Sequence, residues 1–151
     1  MSSFELLRQP YISRPDHRRN YSRVSGRAVP VPDVVIRLRA VGGGLPPTPV
    51  LFTVDSGADV TILPKRHAAY FGFRLDGVRP RRGRAAGGAT YDYLDNGWDV
   101  EADLCGKWTR IPVRFFASDQ ARRALLGRDG AFDALELVFV QARRVIYARQ
   151  V

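Results

Sequence analysis

Apolar and polar residues alternate with a period of two along much of this chain, so strands dominate the expected structure. The clearest case is residues 98–104, where Trp98, Val100, Ala102 and Leu104 alternate with Asp99, Glu101 and Asp103. That is the pattern of a half-buried strand with an acidic outer face. Cys105, Gly106 and Lys107 turn the chain, and Ile111, Val113 and Phe115 then alternate with Arg110, Pro112 and Arg114 on a returning strand. Pro112 cannot donate to a ladder, which predicts an edge or a bulge there. Earlier, Val34, Ile36 and Leu38 alternate with Val35, Arg37 and Arg39, and Gly42, Gly43, Gly44, Pro46 and Pro47 form a connecting loop. Residues 50–54 resume as a strand, with Val50, Phe52 and Val54 on one face and Leu51 and Thr53 on the other.

Residues 60–63 read as a short strand that Pro64 stops, and the stretch after it predicts a helical turn ending at Gly72. The glycine-rich residues 83–88 read as a hairpin tip. Near the C-terminus, residues 124–134 predict a strand ending at Gly127 and then a short helix, followed by strands over 135–140 and 145–147. Residues 1–24 carry Pro10, Pro15, Arg18 and Arg19 with no apolar period and read as an N-terminal arm, leaving residues 25–151 as one domain. The expected fold class is mainly β with one or two short helices.

The length fits one domain, which at 151 residues buries about 68–70% of its unfolded surface. No stretch approaches the roughly 20 apolar residues of a membrane span. The N-terminus lacks the basic start and apolar block of a signal peptide, and Cys105, the single cysteine, has no internal disulfide partner. Both point to a reducing cytoplasm. The net charge is +9, and of 24 basic residues all but Lys65 and Lys107 are arginine. Clustered arginine would indicate a nucleic-acid partner. Here the arginines recur from Arg8 to Arg149 instead, with the densest group at Arg79, Arg81, Arg82 and Arg84, which favours plain arginine-rich composition.

The chemistry on offer centres on residues 50–63, VLFTVDSGADVTIL, an apolar run broken by Asp55-Ser56-Gly57-Ala58-Asp59. Asp and Ser followed by Gly are good turn formers, so those three letters alone carry little. The longer string resembles the active-site segment of aspartic peptidases, and of their retropepsin-like branch in particular. A second segment agrees in order and spacing. Leu125-Leu126-Gly127-Arg128-Asp129, about seventy residues after Asp55, resembles the family's two apolar residues, Gly, Arg, then Asp or Asn, that open a short helix. The resemblance covers about residues 29–139.

That resemblance implies a closed acid-protease-like β-barrel, a homodimer with its active site on the two-fold axis, and hydrolysis of a polypeptide substrate. No second Asp-Ser-Gly or Asp-Thr-Gly exists in the chain, and Asp95-Asn96-Gly97 and Asp129-Gly130 lack the hydroxyl residue. A two-fold axis between two copies of Asp55 would supply both carboxylates. By the same resemblance Ser56 would hydrogen-bond under the pair and Gly57 would admit backbone and substrate. Ala58 and Asp59 would line the substrate groove, and Arg128 would form a structural ion pair with Asp59. Residues 83–93 would form a flap whose Ala86, Gly87, Gly88 and Ala89 contact substrate. Its basic base would favour acidic peptides. Asn96-Gly97 falls where the family runs one long strand, which predicts a bulge. Relatives dimerise through interleaved termini; the arm and tail of this chain depart from that pattern.

No cofactor or metal is implied: no His/Cys cluster has metal-ligand spacing, and Gly42, Gly43 and Gly44 lack the Lys-Ser/Thr of a phosphate loop. His17, His67 and Cys105 read as structural. Two other functions compete with hydrolysis. One is a dimeric peptide-binding module with a weak or silent pair of Asp55 carboxylates. The other is a basic β-module that binds nucleic acid, with affinity falling steeply in salt.

Overall fold

Alternation along the chain becomes ten strands in a computed structural model, which describes residues 7–10, 32–84, 88, 90–118, 123–143 and 145–151. They are β1 (Leu7–Pro10), β2 (Asp33–Ala40), β3 (Thr48–Val54), β4 (Thr61–Leu63), β5 (Arg81–Arg84), β6 (Thr90–Leu104), β7 (Lys107–Phe116), β8 (Ala124–Leu126), β9 (Leu135–Val140) and β10 (Val145–Gln150). The main sheet runs β2-β3-β8-β4-β7-β6-β5, and an added pairing of β2 with β6 closes it into a six-stranded barrel from which β5 projects as a hairpin leg. Closure removes the free edges that an open sheet of this length would carry. The expected mainly β, closed barrel is the observed architecture.

The inward set is the one the alternation assigns. Val34, Ile36 and Leu38 of β2, Val50, Phe52 and Val54 of β3, Val100, Ala102 and Leu104 of β6 and Ile111, Val113 and Phe115 of β7 are all buried. Each large aliphatic or aromatic side chain among them contributes about 1.5–3 kcal/mol on leaving water. Phe71 and Phe73, carried by the segment after β4, extend this core, with Phe73 at 5.8 Å from Trp98 and Trp98 at 5.3 Å from Phe115 between ring centroids.

On the outer face, the acidic row of β6 is matched by arginines of its neighbours. Arg37 reaches Asp103 at 2.5 Å, Arg39 reaches Glu101 at 3.3 Å, Arg110 reaches Asp99 at 2.7 Å and Arg114 reaches Asp95 at 2.9 Å. Arg39 also stacks 4.1 Å from the ring centre of Trp108. Solvent-accessible pairs of this kind stabilise by only about 0–1 kcal/mol each, yet they give these four arginines partners within the chain without an external anion.

Local departures have local causes. Cys105 and Gly106 both take left-handed φ, 54° and 88°, as a two-residue hairpin between β6 and β7 demands. The register between β6 and β7 slips between Leu94 and Trp98, where Gly97 has φ 69° and donates its N–H to Asp95 Oδ1 at 3.1 Å. This is the bulge expected at Asn96-Gly97. Pro112 pairs with Asp99 of β6, while the pairing of β7 with β4 begins only at Val113, so it sits where β7 is locally an edge. The two expected short helices are three-residue 3-10 turns at Lys65–His67 and Phe132–Ala134, and a further such turn, not expected, spans Gln141–Arg143. In the first, backbone bonds such as His67 N–H to Pro64 O and Ala68 N–H to Lys65 O close three residues back, and the segment turns away at Gly72.

A second sheet of order β1-β10-β9 lies outside the barrel sheet. Its first strand, Leu7–Pro10, falls among the residues expected to form an arm, where no periodic signal marked it, and pairs antiparallel with β10. Val138 and Phe139 of β9 remain exposed. Among the described residues no helix is long and apolar enough to cross a membrane.

Candidate active site

Strand β3 delivers Asp55 to one end of the barrel because β3 runs parallel to β8, with Val54 opposite Leu126. The Asp55 N–H donates to the Leu126 carbonyl at 3.0 Å, one step beyond that pair. The chain then loops around the end of β8 and returns as β4, which pairs antiparallel with β8 at Ile62 and Leu125. Asp55 to Asp59 is therefore a loop folded over a central strand. Its tightness follows from the sequence: Gly57 N–H donates to Asp55 Oδ1 at 2.9 Å and Ala58 N–H to Asp55 O at 3.1 Å, the side-chain-to-backbone turn that Asp favours.

The two sequence motifs are bonded to each other along their length. Gly127 N–H donates to Thr61 Oγ1 at 3.1 Å, Arg128 N–H to Ala58 O at 2.9 Å and Asp129 N–H to Asp59 O at 2.8 Å. The guanidinium of Arg128 donates to Asp59 Oδ1. Thr61 is fully buried, so its hydroxyl satisfies a backbone N–H that would otherwise be stranded from water.

Exposure is graded along the loop. Asp55 is half-buried, Ser56 and Gly57 are exposed, Ala58 is half-buried and Asp59 is exposed. A carboxylate at the end of an apolar strand thus meets solvent at the barrel's mouth instead of sitting in the core. The side chains of Asp59 and Arg128 remain 75% and 58% accessible, so their pairing shapes the loop more than it stabilises the fold.

The hairpin of β5 and β6 stands where the flap is expected. Arg81 pairs with Tyr93, Arg82 with Asp92, Gly83 with Tyr91 and Arg84 with Thr90. Of the expected tip residues, Gly88 is exposed with φ 87°, while Ala86, Gly87 and Ala89 lie outside the described residues. The basic base of the hairpin is partly neutralised: Arg82 pairs with Asp92 at 3.3 Å, and Arg79 and Arg81 line a recess of about 460 Å³ together with Asp76 and Asp95.

Two residues went unmarked in the sequence. Asp33 opens β2 with its side chain fully buried, accepting from Thr53 Oγ1 at 3.0 Å and from the guanidinium of Arg123. The cluster ties β2, β3 and β8 together two residues before Asp55. A lone Asp before Val34 gave no sign of this, since the partner at Arg123 is 90 residues away. The second is Tyr91, half-buried on β6, whose phenol is pushed above its ordinary pKa of 10.0 chiefly by burial. Arg114 opposes that shift, and the charges of Tyr93, Asp59 and Asp55 add to it. An alternating Tyr91 and Tyr93 beside Gly83 was the available signal.

Other titratable candidates lie elsewhere. His67 belongs to the turn after β4, its pKa lowered from 6.5 first by burial and then by Arg66. Cys105 is half-buried in the hairpin between β6 and β7, and His17 is outside the described residues. Among the described residues no three His, Cys, Asp or Glu side chains group as metal ligands.

No protein-family model matches this sequence, nor does any curated protein sequence. Solved structures do match. A retropepsin-like aspartic protease from Rickettsia conorii aligns over 76% of this chain and 88% of its own with 18% identity and a TM-score of 0.54. EIAV protease, in complex with the inhibitor HBY-793, covers 65% and 82% at 20% identity and a TM-score of 0.41. The retroviral protease-like domain of Ddi1 from Leishmania major covers 80% and 95% at 20% identity and a TM-score of 0.41. With the closed barrel, the loop of β3 over β8 and the likeness to the Rickettsia structure, the chain has the retropepsin-like fold.

Proposed function

We propose that this chain is an aspartic endopeptidase that works as a homodimer, hydrolysing peptide bonds with a water held between two copies of Asp55. The observation that carries the reading is the bonding of the Asp55 loop to the Gly127-Arg128-Asp129 turn, which fixes one carboxylate at the open end of the barrel with its neighbours ordered. One such carboxylate is half of a catalytic pair, and a two-fold axis beside it completes the pair from the same sequence.

Two carboxylates about 3 Å apart repel by roughly 5 kcal/mol at an effective dielectric of about 20, so the pair holds one proton near neutral pH. The shared-proton arrangement is the general property of aspartic-protease dyads. The ionised Asp55 takes a proton from the water as its oxygen attacks the peptide carbonyl carbon. The protonated Asp55 gives its proton to the developing oxyanion. Collapse of the tetrahedral intermediate breaks the C–N bond, the amine nitrogen leaving with a proton returned by the pair.

In this scheme Ser56 supports the pair with a hydrogen bond and Gly57 keeps the loop low enough for substrate. Ala58 and Asp59 form the groove wall, with Arg128 holding Asp59, and Ala86, Gly87, Gly88 and Ala89 close over the peptide as a flap. We assign residues 25–151 to the peptidase domain and residues 1–24 to an arm. The single Cys105 fits work in the reducing cytoplasm.

Incubation of a mixed peptide library with wild type and with Asp55→Asn, followed by mass spectrometry of the cut bonds, tests this directly. Cleavage by wild type alone is expected. Equal cleavage by both would remove Asp55 from the mechanism, and binding without cleavage by either would make the chain a peptide-binding module.

A further inference from the structure

Alternation sorts the side chains of β2, β3 and β8 onto two faces. Phe52, Val54, Ala124 and Leu126 point into the barrel and are buried, which turns Asp33, Thr53, Arg123 and Leu125 to the other face, the one that Thr53 shares with Asp55. Thr53 lies opposite Asp33 of β2 and Leu125 of β8. One row further from Asp55 come Val35 and Leu51, with Arg123 beside them just ahead of β8. Arg123 does not stay in its row. Its guanidinium leans across β3 and donates to the Asp33 carboxylate, which also accepts from Thr53 Oγ1 at 3.0 Å. The cationic head therefore rests beside Thr53, two residues or about 7 Å along the strand from Asp55.

An arginine in that place has donors to spare. Asp33 takes Nη2, while Nε and Nη1 are buried and have no acceptor among the described residues. Buried N–H groups without partners are rare and unfavourable, so a site that keeps them gains from an acceptor brought to it. The face around them is loosely covered: Leu51, Thr53 and Leu125 are only half-buried and Val35 is 50% exposed, whereas the inward face is sealed. The charge of Arg123 is already cancelled by Asp33, whose side chain is fully buried. A carboxylate arriving here would set a second negative charge beside Asp33 against the one guanidinium, and its desolvation is unfavourable. A primary amide avoids that conflict. Its carbonyl oxygen accepts from the spare donors, its NH2 donates to a lone pair of Thr53 Oγ1, and it carries no charge.

We propose that Asp33, Thr53, Arg123 and Leu125 form a side-chain subsite of the peptide groove, in which Arg123 is the specificity-determining residue and the ligand is the amide side chain of a glutamine or asparagine next to the cut bond. The proposal rests on the peptidase reading above. In a dimer two such subsites flank the Asp55 pair, one on each side of the bond.

The test uses the library peptide that wild type cuts best, remade with glutamine, leucine or glutamate at each residue flanking the cut bond in turn. At one flank or both, wild type should cut the glutamine form with a kcat/KM at least about tenfold above the leucine and glutamate forms, the scale of one charge-assisted hydrogen bond. Arg123→Lys keeps a cation for Asp33 but removes the two spare donors, and it should lower the glutamine-to-leucine ratio about tenfold. Asp33→Leu combined with Arg123→Met removes both charges together, which keeps the urea midpoint near that of wild type, and in that variant the leucine form should overtake the glutamine form. A wild type that favours leucine or glutamate at both flanks, or a glutamine preference that Arg123→Lys leaves unmoved, would overturn the assignment while leaving the peptidase reading intact. A wild type that cuts no peptide would overturn both.

Discussion

Gly127 lies directly against the backbone of Val60: a Cβ built on it would stand 2.4 Å from the Val60 carbonyl carbon and 2.6 Å from its oxygen. Nothing in that contact is a flexible side chain, so no neighbour can move aside cheaply. The glycine of the second motif is thus what lets the strand β8 pass under the loop that carries Asp55. Gly127→Ala should destabilise the fold by at least about 2 kcal/mol, the scale of overpacking in a closed site. Urea unfolding measures it, and a variant with wild-type stability would mean that the loop adapts.

Asp59 and Arg128 behave differently because both are accessible. Replacing Arg128 by Lys loses the planar fork that meets the Asp59 carboxylate, while the exposed pair itself is worth no more than about 1 kcal/mol. Peptide cleavage should fall about ten- to a hundredfold through misplacement of the groove wall, with the unfolding midpoint nearly unchanged. A stable variant with full activity would show that the pair does not shape the groove.

Asp33 is the opposite case, since its side chain is fully buried against Thr53 and Arg123. Asp33→Ala leaves the Arg123 guanidinium without its counter-charge and should cost about 3–5 kcal/mol. Thermal unfolding reads the loss directly. A second substitution, Arg123→Met, should recover part of it if the stranded charge is the cause.

His67 gives the fold an acid-side slope. Its pKa in the folded chain lies below the ordinary 6.5, so between those two values the unfolded chain binds more proton than the folded one. Stability is therefore complete above pH 6.5 and declines as pH falls toward the folded pKa. His67→Gln should flatten the urea midpoint of the protein between pH 7.5 and pH 5. An identical slope in the variant would assign the dependence to other groups.

Subunit mixing tests the shared site. With the amount of wild type held constant and exchange allowed, an equal amount of Asp55→Asn should lower activity to about half, because half of the active chains then sit opposite an inactive partner. Chains that each carried a complete site would lose nothing.

Period-two alternation made the barrel legible because each strand of it has one wet and one dry face: Val34, Ile36 and Leu38, and later Trp98, Val100, Ala102 and Leu104, are buried in the order written. The turn at Cys105-Gly106 and the bulge at Gly97 were legible because left-handed φ is demanded there and Gly106 and Gly97 adopt it freely. The strand Leu7–Pro10 was not, since what holds it is β10, more than 130 residues away, and nothing in its own pattern. The same reason hid the partnership of Asp33 with Arg123. At the loop, the resemblance led to the expected pairing of Asp59 with Arg128, but the backbone bonds from Gly127, Arg128 and Asp129 to Thr61, Ala58 and Asp59 emerge only from the way β8 threads between β3 and β4. Tyr91 was missed because its neighbours are set by the hairpin register, and the glycine beneath it had already been read as a turn former.

The threading of β8 also orders events in time. Its partners Phe52, Thr53 and Val54 precede it by about seventy residues, and loop closure over that span is slow compared with a hairpin between adjacent strands. A nascent chain that has emerged only as far as β7 has the Asp55 segment but no strand to fold it over. The carboxylate acquires its fixed setting only after β8 has emerged, so the barrel's own connectivity postpones the ordering of the Asp55 loop until residues 124–129 can reach it.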